Sequence, residues 1–329
     1  MRSGLTMFTI VNLCFFSLKE NAIEFVVPLA LATGIGHGLF WPGNNLSQYI
    51  LTQTGTRNKY FGNLNFIFNI ASTIAPLIGG LIIWFFSRMD YAVWGYATLF
   101  LIVAIIYTYL FFVSKQLPRH SGIEFSFLHI LRHKRVKKWK IILTQQFIFG
   151  LWDVAFSAIS GVLIFLIVKE EFILGTVKTL MTLIFALGSL IAGSILQKRS
   201  SFILPAGILS SIGILMFGLQ QNWLGLAFLI VIVGVFQPFL NISTSKSIYD
   251  TIDDLGVHWR HKYHFLVERD TVLGIGRIIN YLILLMLFNP ENQIAIAKSW
   301  ILVIPIFPIV IGLLQNKYFK ESLKTRTEG

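Results

Sequence analysis

The chain holds a single cysteine, Cys14, among its 329 residues. That excludes an internal disulfide and any metal site built on cysteine. Cys14 sits in an apolar run, where a lone thiol reads as a small core hydrophobe. Charge is scarce too: 13% of residues are charged, against about 25% in a soluble domain. Acids are the scarcer sign, with 15 Asp and Glu against 27 Lys and Arg, a formal net charge of +12. No Gly-x-x-x-x-Gly-Lys-Ser/Thr loop occurs, which argues against direct use of ATP. Neither a His-Glu-x-x-His helix nor a Gly-x-Ser-x-Gly elbow is present, so an enzyme is not expected. His258, His261 and His264 recur every three residues without a carboxylate or cysteine partner, so neither a metal nor a cofactor is expected.

What fills the chain is apolar. Hydrophobic residues make up 55%, including 30 Phe, and the mean hydropathy is +0.71. A membrane helix needs about 20 apolar residues, because in lipid each segment must satisfy its own backbone. Ten such spans are expected, at about 4–18, 22–42, 61–86, 91–114, 141–168, 175–196, 202–220, 223–243, 266–289 and 294–315. The first is short, but no small-x-small cleavage site follows it, so it counts as a span.

Basic residues orient the spans. With the N-terminus cytoplasmic, the loops at 43–60, 115–140, 197–201 and 244–265 and the tail after 315 carry most of the Lys and Arg. The opposite loops hold Lys19, Arg88 and Lys169. This is the positive-inside pattern, and it accounts for the basic balance without nucleic acid. A multi-pass protein of the plasma (inner) membrane with both termini cytoplasmic follows. Trp84, Trp94, Trp139 and Trp223 fall near span ends, as an aromatic belt would place them. The basic stretch 133–140 in the longest loop reads as a linker touching anionic headgroups.

The chain also repeats itself. Gly38-Leu39-Phe40-Trp41-Pro42-Gly43-Asn44-Asn45 returns as Gly234-Val235-Phe236-Gln237-Pro238-Phe239-Leu240-Asn241, identical at four of eight positions. Further on, Arg57-Asn58-Lys59-Tyr60 is echoed by Arg260-His261-Lys262-Tyr263. The offset is six spans. Six is even, so matching spans point the same way and the repeat is parallel. Duplicated sets of spans are a signature of secondary transporters. The ruler leaves spans five and six without partners, and a complete pair of six-helix halves would need two helices ahead of residue 1. The expected organisation is an N-terminal half at 1–114, a basic linker at 115–140 and a C-terminal half at 141–329.

In these features the chain resembles the major facilitator superfamily. The resemblance covers nearly the whole chain: parallel halves, a basic central loop, and a 4 + 6 set of helices where the family has 6 + 6. The family's fifth-helix motif, small residues ahead of Gly-Pro-x-x-Gly-Gly, is matched in spacing by Gly62, Ala71 and Ala75-Pro76-Leu77-Ile78-Gly79-Gly80. Alanine replaces two of the glycines. The resemblance implies close helix packing there and a lean toward export. The family's Gly-x-x-x-Asp-Arg motif has a weak echo in Gly193 to Arg199, with Gln197 at the acidic position. The resemblance further implies that spans 22–42, 141–168 and 223–243 line a central cavity.

Charges inside spans are costly and usually functional. Asp153 lies about 12 residues into its span and Arg277 about 11 into its own, from the same side. Both therefore stand near the midplane, roughly 18 Å in. Asp153 is the expected proton or substrate site, with Arg277 as partner; a structural ion pair is the competing reading. Trp152, Gln145, Gln146, Gln237 and Asn241 lie on the cavity-lining spans, as ligand contacts or as helix–helix glue. Pro42 and Pro238 are expected to mark equivalent helix ends and flexing points, capped by Asn45 and Asn241. His37 reads as a core histidine ahead of a proton relay. Glu268, Arg269 and Asp270 read as a local salt-bridge set. The expected protein is an all-α integral membrane protein, a monomeric secondary transporter moving a small molecule by rocker-switch alternating access. Coupling to H+ and efflux are the favoured forms. A truncated, non-transporting remnant or regulatory scaffold is the alternative.

Overall fold

Hydropathy decides the architecture: among the described residues nine helical runs are long and apolar enough to cross a membrane, and no strand occurs. The computed structural model describes residues 1–53, 55–117, 126, 135–198, 202–256, 259–288 and 291–327. Side chains at 76–77, 171–172, 259–261 and 323–327 lie outside the description. Most of the basic linker, with His133 and Lys134, lies outside it as well, as do Arg199 and His258.

The first run, Arg2–Leu51, is two legs. Helix α1 (Arg2–Leu18) turns back through a 3-10 segment, Lys19–Phe25, into α2 (Val26–Leu51). The reversal begins at Lys19, whose φ of 50° is left-handed. Phe8 then packs 4.7 Å from His37, and Gly4 lies against Gly36 and Phe40. Ten legs result. They continue as α3 (Arg57–Ser87), α4 (Ala92–Val113), α5 (Lys137–Val168), α6 (Glu171–Lys198) and α7 (Ile203–Gln220). Next come α8 (Trp223–Asp254) and α9 (Trp259–Leu287). The last leg is α10 (Gln293–Val303) followed by α11 (Ile306–Thr327).

Two expectations need correction. Pro42 and Pro238 do not end helices; each lies inside one, and so do Asn45 and Asn241, which therefore cap nothing. A membrane helix tolerates an interior proline because neighbours can satisfy the carbonyl it frees. In α8 a π-helical stretch, Leu229–Val233, precedes Gly234. Pro238 offers no N–H to the Gly234 carbonyl, four residues back. That carbonyl instead faces α6 at Gly188, where a Cβ would stand 2.6 Å away. Only glycine admits the approach, which suits a Cα–H···O contact.

The chain folds as two units of contact. One comprises Met1–Leu51, Ile74–Phe125 and Trp259–Leu266; the other comprises Thr52–Thr73, Ser126–His258 and Val267–Gly329. Each unit thus takes in one segment from the other half of the repeat. Those two segments carry the echoed Arg57-to-Tyr60 and Arg260-to-Tyr263 motifs. In the first unit α1 packs between α2 and α4. In the second, α6 packs on α8, and α11 on both α5 and α7.

Candidate functional site

The site is built on α5 and α9, two parallel helices that meet at glycines. A Cβ on Gly276 would stand 2.5 Å from the Phe147 carbonyl, and one on Gly150 would strike the Leu273 carbonyl. Bare Cα atoms let the two backbones touch. Three residues beyond Gly150 on α5 and one beyond Gly276 on α9 stand Asp153 and Arg277. Arg277 Nε donates to Asp153 Oδ2 at 3.0 Å and to Oδ1 at 3.3 Å, and Nη2 donates to Oδ2 as well. The fork-on-carboxylate arrangement is the strong form of this pair. Asn280 donates to the Leu151 carbonyl beside it. Asp153 is the middle of a 32-residue helix. The Arg277 side chain is 43% exposed and that of Asp153 23%. The guanidinium is thus the more exposed partner of the pair.

Further polar rungs continue down the same seam. Gln146 accepts from Arg269 Nε at 3.2 Å. Glu268, fully buried, accepts from Trp139 Nε1 at 2.7 Å and from Arg135 Nε at 2.5 Å. Trp139 is correspondingly buried, which corrects its expected place in an aromatic belt: its indole N–H serves a buried carboxylate. Glu268 reaches across to α5, so the Glu268–Arg269–Asp270 set is only partly local; Arg269 does approach Asp270 at 3.4 Å. Lys137 and Lys138, on the same turn of α5, pair with Glu321 of α11 and Asp254 of α8 at 2.8 and 3.1 Å. The described end of the basic linker is therefore engaged by carboxylates of three helices, not only offered to headgroups.

The other expected residues disperse. Gln145 is buried and donates to Thr244 Oγ1 at 2.9 Å, tying α5 to α8. Trp152 is fully buried between Phe149 and Phe156, its Nε1 enclosed without a partner among the described residues. Gln237 is half-buried, and Asn241 is half-buried with its Oδ1 enclosed and unpartnered. Of the fifth-helix motif, Gly62 faces Gly193 of α6 closely, with each hypothetical Cβ 3.2 Å from the other's Cα. Ala75 is exposed, Gly79 meets only Leu99 at 3.7 Å, and Gly80 has nothing within 4 Å. The side chain of Pro76 lies outside the described residues. His37 is exposed, which corrects its reading as a core residue; its hold is the edge of the Phe8 ring.

The sequence reading missed a second cluster. Arg57, 2% exposed, donates through Nη1 to Asp250 at 2.8 Å and pairs with Asp253 at 2.7 Å. Lys246 closes on Asp250 at 2.7 Å, and Phe61 stacks on Tyr249 at 5.5 Å. So the start of α3 is held by the end of α8. In the first unit the pattern returns: Lys262, at the start of α9, donates to the Tyr49 hydroxyl at the end of α2, at 2.5 Å. The echoed Arg-x-Lys-Tyr motif was the available signal. It marked equivalent positions but not their partners.

The profile of the Major Facilitator Superfamily matches residues 1–258. The uncharacterized protein YqgE of Bacillus subtilis (strain 168) is 22% identical over 328 residues, which is 98% of this chain and 75% of YqgE. The proton-coupled antiporter flippase LtaA of Staphylococcus aureus (strain USA300) is 30% identical over 114 residues, 35% of this chain and 28% of LtaA. Among solved structures, the E. coli fucose:proton symporter FucP superposes with a TM-score of 0.66 at 16% identity, covering 96% of this chain and 82% of FucP.

Proposed function

The chain belongs to the Major Facilitator Superfamily, a family of secondary transporters, and on that premise we propose a proton-coupled carrier with Asp153 and Arg277 as its coupling site. The observation that carries the reading is the Asp153–Arg277 pair itself, near the midplane of two helices in glycine contact. Two relatives whose names describe proton coupling, LtaA and FucP, favour H+ over another ion. LtaA is an antiporter, and with the fifth-helix motif it favours efflux of a small molecule.

Protonating Asp153 removes the charge that holds Arg277. Proton occupancy is thereby linked to the contact between α5 and α9, and a ligand that differs in affinity for the two arrangements shifts their populations. Arg57 with Asp250 and Asp253, and Lys262 with Tyr49, are the contacts that a rocker switch would break and remake. Gln237 and Asn241 remain proposed substrate contacts; Gln145, Gln146 and Trp152 support α5. Pro42, Pro238 and Pro76 are proposed to act in flexing and Gly79 in packing on Leu99, while Ala75 and Gly80 are exposed and keep no proposed packing partner among the described residues. The proposed carrier sits in the plasma membrane, and the concentration of basic residues supports cytoplasmic termini.

The test uses inside-out vesicles holding a proton gradient, read by an acridine pH dye against a panel of small molecules. The wild type should release protons when its substrate is added, and Asp153→Asn should not, at equal expression. Proton release by Asp153→Asn equal to wild type would remove Asp153 from coupling. Labelled-compound flux without proton movement would keep the carrier and reject H+. Wild-type vesicles silent in both assays would favour the regulatory scaffold.

A further inference from the structure

We propose that the groove between α1 and α4 holds an acyl chain of one anionic phospholipid, whose phosphate rests on Arg2 and Lys115. The groove encloses about 320 Å³. Leu13 of α1 and Ala104, Ile105, Tyr109 and Phe112 of α4 line it. Thr9 and Thr108 complete the wall. Their hydroxyls do not make it polar: Thr9 donates to the Leu5 carbonyl at 3.1 Å and Thr108 to the Ala104 carbonyl at 2.8 Å. With both hydroxyl protons taken up by their own helices, little is left to bind a headgroup.

The groove has a charged end. The two helices are antiparallel, since Phe8 meets Tyr107 at 5.1 Å and Phe15 meets Phe100 at 4.8 Å. Arg2 therefore arrives beside the last turn of α4, where it donates to the Ser114 carbonyl at 3.1 Å. Lys115 is exposed next to it, its Nζ 4.8 Å from the centre of the Phe112 ring. Phe112 thus joins the apolar wall to the cations. Among the described residues neither cation pairs with a carboxylate. Arg2 spends one donor on Ser114 and keeps others of its five N–H groups for an anion.

The dimensions fit a lipid tail. From Phe112 to Ala104 is eight residues, about 12 Å along a helix. One leaflet of the hydrocarbon core is about 15 Å deep. Two unpaired cations at the mouth favour an anionic headgroup over a zwitterionic one, each contributing attraction at the membrane surface.

The test is native mass spectrometry of the full chain in detergent. It is titrated with phosphatidylglycerol, with phosphatidylcholine of the same chains, and with inorganic phosphate as competitor. One phosphatidylglycerol should be retained about tenfold more tightly than phosphatidylcholine. The double variant Arg2→Gln/Lys115→Gln should erase that preference, and Ala104→Leu, which fills the groove, should weaken both lipids. Arg88→Gln, a cation seated on Trp84 instead, should change nothing. Equal binding of the two lipids, unaltered in the double variant, would overturn the proposal in favour of ordinary annular lipid. Displacement by inorganic phosphate, with Ala104→Leu silent, would overturn it in favour of a headgroup site alone. Thermal unfolding checks each variant. If Ala104→Leu does not fold, the lipid preference and the double variant decide.

Discussion

The two units treat their cations differently. In the second, Arg57, Arg135, Lys137, Lys138, Lys246 and Arg277 each meet a carboxylate, most of them on another helix. In the first, Lys19 lies over Trp94, Arg88 over Trp84 and Lys115 over Phe112, while Arg2 takes a backbone carbonyl. Apart from Lys246, these cations of the second unit reach a carboxylate on another helix and so act as internal ties. The first leaves cations on aromatic rims, where a second, external anion can still reach them. Glycine contacts occur in both: Gly150, Gly188 and Gly276 in the second unit and Gly4 in the first each approach another backbone, whereas Gly274 in the second and Gly80 in the first meet nothing within 4 Å.

The sharpest way to break this contrast is Arg57→Gln. It leaves Asp250 and Asp253 facing each other with their main cation gone, and should cost about 3 kcal/mol in unfolding of the detergent-solubilised protein. Recovery in the background of Asp250→Asn and Asp253→Asn would show that the loss comes from uncompensated charge. No loss would mean that the pair is as dispensable as a surface one. Next in size is Gly276→Val, which drives a side chain into the Phe147 carbonyl and should cost about 2 kcal/mol. The same change at Gly80 should stay within about 0.5 kcal/mol. Equal effects at the two glycines would mean that the close approach of α5 and α9 at Gly276 adds nothing to the cost. Trp139→Phe keeps a six-membered aromatic ring but removes buried volume and the indole N–H that serves Glu268, for an expected loss of about 1.5 kcal/mol. The smallest effect belongs to Lys137→Gln, whose side chain is 65% exposed; it should shift unfolding by no more than about 0.5 kcal/mol.

Asp153 and Arg277 were legible because a charge inside an apolar run stands out. Their shared depth was legible because a helix rises 1.5 Å per residue. Which way a side chain points around its helix was not. Membrane helices are apolar on nearly every face, so periodicity gives a weak azimuth. Gln145 and Gln146 were therefore open to two readings, ligand contact or helix–helix glue, and their bonds to Thr244 and Arg269 fit the second. Trp139 was read as an interfacial anchor, yet it is buried on Glu268. Gly150 and Gly276 drew no notice because glycines are common in membrane helices, and nothing local tells a contact glycine from an idle one.

The sequence alone determined the number of legs and their duplication. In lipid each segment must close its own backbone hydrogen bonds, which makes every span a self-contained run of apolar residues. Tertiary structure decided the partners. Arg57 meets Asp250 across 193 residues, and Asp153 meets Arg277 across 124. Such pairings depend on which helix faces touch, and that is settled by packing of small residues between helices, a property of two segments together and of neither by itself.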